Sequence, residues 1–80
     1  MKTPEQMYAL AIGEVMSQLR QLAKSPTPVP DQTFVLGMLE GFEKIGVFDL
    51  PTLSNIRDKV FVTTTQRVEQ LRESACPQHL

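Results

Sequence analysis

The stretch Lys59-Val-Phe-Val-Thr-Thr-Thr-Gln66 (KVFVTTTQ) decides the fold of this chain. Six of its eight residues are β-branched or aromatic, the types that favour a pleated strand. Working outward, however, Leu53, Ile56, Val60, Thr64, Val68, Leu71 and Ala75 recur at steps of three, four, four, four, three and four. That phase is helical and passes through the stretch unbroken. A strand here has no second convincing strand in the chain to pair with, and its backbone groups would go unsatisfied. The β-branched run lowers helix propensity by only about 0.5 kcal/mol per residue, which packing overrides. The reading is therefore a helix from about 51 to 75. The alternatives are a strand that pairs across a dimer axis, or a break near Thr63 to Thr65.

Upstream, Asp49 and Pro51 signal the start of this helix, and Gly46 the stop of the one before it. Val47 and Phe48 can fold back on that last turn, so residues 46–50 form the corner of a helical hairpin. The preceding helix, expected at about 32–45 with Asp31 as N-cap, carries Val35, Met38, Phe42 and Ile45 at helical spacing. Phe34, Leu36 and Leu39 add a second face. Prolines at every second position of Ser25-Pro-Thr-Pro-Val-Pro-Asp31 predict an extended linker over 25–31, spanning ~20 Å at ~3 Å per residue. Their spacing lacks the PxxP pattern of SH3 ligands.

At the other end, Thr3, Pro4 and Gln6 form a capping-box start for a helix at about 4–24. Tyr8, Ile12, Val15, Leu19 and Leu22 make its apolar stripe, with Glu14, Ser17, Gln18, Gln21 and Lys24 on the other side. Met7, Leu10, Ala11 and Met16 widen the stripe beyond what one neighbouring helix covers. The expected architecture is all-α: three helices joined by the linker and the hairpin, one domain over 1–75, and a disordered tail at 76–80.

The expected lengths imply an oligomer. At 1.5 Å per residue the third helix reaches ~37 Å and the second only ~21 Å, so the third overhangs. The first, at ~31 Å, is the element long enough to cover Phe61, Val68 and Leu71, in its own chain or in a partner. A homodimeric bundle follows as the expectation, with Tyr8, Ile12, Val15, Phe42, Val60, Val68 and Leu71 as its core or seam. The pairs Ala9/Gly13 and Gly37/Gly41, each four apart, suggest close helix crossings.

Composition narrows function. Hydrophobic residues make up 41% and charged residues 21% of the chain, as in ordinary globular proteins. Eight basic and nine acidic residues give a net charge of −1, which supplies no global field for nucleic acid or anionic lipid. One cysteine and one histidine, Cys76 and His79, allow neither an internal disulfide nor a four-ligand metal site within the chain. No cofactor motif and no catalytic constellation is present, and a cytoplasmic setting without membrane contact is the expectation.

Gly46-Val47 followed by Pro51-Thr52-Leu53-Ser54-Asn55 resembles the turn and early recognition helix of helix-turn-helix proteins. The likeness covers about ten residues and implies nucleic-acid contact through Ser54, Asn55, Arg57 and Lys59. That family usually has a small residue four before the turn glycine, where this chain has Phe42, and a shorter turn. The preferred reading is a small non-catalytic interaction module, an adaptor, antagonist or regulatory subunit of bacterial or mobile-element type. Its partners would be a second copy of itself and an unidentified protein. Phe34, Met38, Phe48 and Phe61 are the expected contact residues, because aromatic and Met side chains are enriched at interfaces.

Overall fold

The computed structural model describes residues 3–75, which form three α-helices. The first, α1, spans Pro4–Leu22 and opens with the expected capping box. Thr3 Oγ1 accepts from the Gln6 amide at 3.1 Å, and Gln6 Oε1 accepts from the Thr3 amide at 2.9 Å. The helix ends two residues before the expected limit. There the amides of Lys24 and Ser25 bond to the carbonyls of Gln21 and Leu22, three residues back, tightening the last turn.

The extended linker over 25–31 is not formed. α2 spans Pro28–Lys44, with Thr27 at its N-cap position and two of the three linker prolines inside its first turn. Alternate prolines read as a stiff spacer. Yet the first four amides of a helix have no intrahelical acceptor, and proline's fixed φ already suits a helix. Pro28 and Pro30 occupy positions where a missing N–H costs nothing, and Pro28 is itself buried. Asp31 is consequently not the N-cap. It lies in the first turn, where its charge complements the helix dipole.

The corner between α1 and α2 is instead held by polar groups. Ser25 is buried, its hydroxyl donates to Asp31 Oδ2, and its Oγ accepts from the Thr27 amide at 2.9 Å. Arg67, 42 residues further along, donates from Nε to the Ser25 carbonyl at 2.7 Å and from Nη2 to the Lys24 carbonyl at 3.1 Å. The guanidinium thereby supplies donors to the carbonyls of the two residues that follow the Ala23 C-cap of α1.

At its other end α2 stops as the sequence indicates. Gly46 has φ +73°, a conformation that only glycine adopts without steric cost. The amides of Gly46 and Val47 bond to the carbonyls of Glu43 and Phe42 at 3.0 and 3.1 Å, the paired bonds of a Schellman ending. Val47 and Phe42 both pack against the core. Asp49 then caps α3, accepting from the Thr52 amide at 2.9 Å. Hydrogen bonds from the Thr52 side chain and backbone hold the Asp49 carboxyl below its usual value. The stabilisation from that cap is complete above the ordinary carboxyl range and is lost as pH falls through the lowered value.

α3 spans Leu50–Ala75, so KVFVTTTQ is neither a strand nor a break. Val60 and Thr64 are buried within it, and the Thr64 hydroxyl donates to the Val60 carbonyl at 2.8 Å. That bond lets a polar β-branched side chain occupy a core position. The helices run alternately: Tyr8 near the start of α1 meets Phe48 just before α3, while the end of α1 meets Arg67. α1 and α3 are therefore parallel, with α2 reversed between them. Ala11, Val15, Leu22, Val35, Leu39, Phe48, Leu53, Ile56 and Val60 form the core. Beyond Arg67, α3 continues for ~12 Å at 1.5 Å per residue, and no residue from Val68 to Ala75 is fully buried. The tail expected at 76–80 lies outside the described residues.

Arg67→Ala should lower stability by about 1.5–3 kcal/mol, the range for hydrogen bonds to a charged group. Arg67→Lys should recover less than half, because an ammonium cannot reproduce the forked geometry. Urea unfolding of the three proteins measures both. A loss below ~0.5 kcal/mol for Arg67→Ala, the ordinary range for surface changes, contradicts the clamp.

Candidate interaction face

With α3 covering one side of the α1–α2 pair, the opposite side faces solvent. At its lower end, Met7, Leu10 and Ala11 of α1 stand across from Phe42, Ile45 and Val47 at the end of α2, around a groove of about 270 Å³. The groove continues to Pro4 and Gly46. Leu10 and Ile45 are 57% and 62% exposed. This site exists because α1 carries a broader apolar stripe than α2 and α3 cover, and because Gly46 turns the chain and brings Val47 back onto α2. At the upper end of the same side, Phe34 borders a more polar cleft with Gln18, Gln21 and Asp31. Phe34 is 64% exposed. Met38, half-buried, lies between Phe34 and Ile45 on the same helical face.

Of the four expected contact residues, the structure therefore brings Phe34 and Met38 onto one face. Phe61 is 47% exposed on α3, apart from that face. Phe48 is withdrawn from any contact role: it is 5% exposed, between Tyr8 and Phe42. Its ring makes edge-on contacts with both, at centroid separations of 5.5 and 5.7 Å. The fold-back after Gly46 buries it. Tyr8, expected in the core or seam, meets the Phe48 ring and keeps 43% of its surface exposed. Val15 and Val60 are buried, while Ile12, Phe42, Val68 and Leu71 are half-buried.

The glycines do not mark helix crossings within the chain. A Cβ built at Gly13, Gly37 or Gly41 meets nothing within 4 Å. Arg67 and Ser25, which fix the α1–α2 corner and so the face itself, were not singled out by sequence reasoning. Their partners are set by tertiary geometry and leave no local pattern.

Electrostatically the face is sparse. Glu14 is its exposed carboxylate, bonded to Gln18 Nε2 at 3.1 Å, and Asp31 is engaged by Ser25. The residues expected to touch nucleic acid lie elsewhere. Ser54, Asn55 and Lys59 are exposed on the first half of α3. Arg57 is drawn into an ion pair with Glu43 at 3.0 Å. Among the described residues no group of three or more His, Cys, Asp and Glu side chains converges, and no buried side-chain nitrogen or oxygen lacks a hydrogen-bond partner. No described helix is long and apolar enough to cross a membrane. No protein-family model, no curated protein and no solved structure matches the chain.

The division between buried and exposed aromatics can be checked by stability. Phe48→Ala should cost about 3–5 kcal/mol, as core Phe truncations do. Phe34→Ala should stay within about 0.5 kcal/mol. Thermal or urea unfolding distinguishes them, and equal losses would contradict the assignment.

Proposed function

We propose that this protein acts by protein contact and without catalysis, as a small cytoplasmic adaptor, antagonist or regulatory subunit, and that the outer α1–α2 face is its contact surface. The observation that carries the reading is the apolar groove at the lower end of that face. Its walls are supplied by Met, Leu, Ile, Val and Phe side chains, and Phe34 stands exposed at the upper end of the face. Depletion of charge together with Met and aromatic side chains is the composition of an interface centre. The same chain offers little to a nucleic acid. The basic group best placed on the hairpin corner, Arg57, is already paired with Glu43, and the net charge of −1 gives no long-range attraction to phosphate.

Two measurements test this reading together. A photo-crosslinking aromatic residue placed at Phe34 should trap a specific protein adduct in cells, whereas the same residue at Val62, 54% exposed on α3, should not. Fluorescence anisotropy with a mixed-sequence DNA duplex should show no saturable binding at low salt. No adduct from Phe34, or duplex binding that weakens steeply with salt and is lost on Lys59→Ala, would overturn the proposal in favour of the helix-turn-helix-like reading.

A further inference from the structure

The groove and Phe34 occupy opposite ends of one face, and among the described residues each lacks an apolar counterpart. The groove is a concavity with apolar walls, and Phe34 is an aromatic knob 64% exposed at the rim of a more polar cleft. From Phe34 to Ile45 at the groove's edge is eleven residues of α2, or ~16 Å along the helix axis. A two-fold axis lying in the plane of the face, across the helices midway between these points, exchanges the two ends. It places each Phe34 opposite Ile45 of the other copy, at the edge of the groove, in the same operation. We infer that the occupant of this face is a second copy of the chain, docked antiparallel, with Phe34 of each protomer seated among Met7, Leu10, Phe42 and Ile45 of the other. This rests on the reading of the α1–α2 face as a contact surface.

The centre of the face fits the same arrangement. Phe34, Met38, Gly41 and Ile45 follow one another at steps of four, three and four, so they form a single ridge on α2. Reversing that ridge against itself sets Phe34 opposite Ile45 and Met38 opposite Gly41. Gly41 is open, with nothing near the place of a Cβ, so a Met side chain from a second copy meets no side chain there. An isologous dimer requires this property, that one patch supply both the knob and its receptor.

Area sets the strength. From Met7 to Gln21 the face runs fourteen residues of α1, ~21 Å, and two helices of ~10 Å diameter give it a width of ~20 Å. A standard interface covers ~800 Å² of accessible surface per partner. A footprint of roughly 400 Å² in projection is about half that value, in the range of weak, transient contacts. The dimer should accordingly dissociate on dilution, in contrast to an obligate one. Glu14 lies near the level of the axis on α1 and faces its own copy across it, which further limits affinity.

Sedimentation velocity across a dilution series tests the inference. The wild-type chain should move reversibly between the 9.0 kDa monomer and a species of twice that mass. Phe34→Asp and Leu10→Asp, both at exposed positions and so compatible with folding, should each raise the dissociation constant by about a hundredfold or more, since each removes two symmetric contacts of the anchoring kind. Mixed together, the two variants should form a heterodimer more readily than either self-associates, because one intact knob and groove remain per pair. A monomeric wild type, a dimer indifferent to both changes, or a mixture no more associated than its components would overturn the inference. The crosslink from position 34 separates this failure from that of the underlying reading. An adduct with a different protein, in a monomeric chain, rejects the second copy and keeps the contact surface, whereas no adduct at all rejects both.

Discussion

The structure depends on how the chain turns from α1 into α2. A buried serine, an aspartate in the first turn of α2 and an arginine from α3 converge on residues 24–31, and together they replace a spacer by a corner. Because the corner is short, α1 is laid antiparallel on α2 along most of its length. Because Arg67 reaches it from α3, the third helix is fixed parallel to α1 at the same time. The apolar face on the outer side of α1–α2 is a consequence. A flexible spacer would have left α1 free to cover itself elsewhere.

An eighty-residue chain buries only about 60–65% of the surface its unfolded form exposes. The chain uses its larger apolar side chains unevenly under that constraint. Leu22, Leu39, Leu53, Val15, Val35 and Val60 close the centre almost completely, while Leu10, Phe34 and Ile45 stay outside it. An apolar residue exposed singly is ordinary, but these lie on one face with a concavity between two helices. Glycines at 13, 37 and 41 add to the same picture. Each weakens a helix by up to ~1 kcal/mol relative to alanine, with no compensating close approach inside the chain. At Gly41, the contact proposed with a second copy would supply a reason.

The elements that were legible in the sequence are those whose signals are local. The capping box at Thr3 and Gln6, the left-handed Gly46 and the helical phase through KVFVTTTQ each involve residues within a few turns of one another. At Thr64 the conflict between a polar β-branched residue and a buried position is settled by a bond to its own helix, so the phase prevailed over propensity. The proline segment misled because proline forbids the interior of a helix but not its first turn, and the pattern does not say which is present. Phe48, expected at a contact surface, is buried for a related reason. Periodicity places residues on faces within helices, and Phe48 lies between helices, where the turn geometry decides. The groove combines the ends of two helices and the turn after one of them, so its six residues were visible singly and not as a site.

The most direct measurement of the central claim, that the outer α1–α2 face is where this protein makes contact, is a two-dimensional amide NMR spectrum followed as the protein concentration is raised. The account predicts that shifts move for Met7 to Leu10 and for Phe34, Met38, Gly41 and Ile45, while Ser54, Asn55 and Lys59 on α3 hold still. Shifts that move first on α3, or a spectrum that does not change with concentration or with the partner trapped from Phe34, would contradict it.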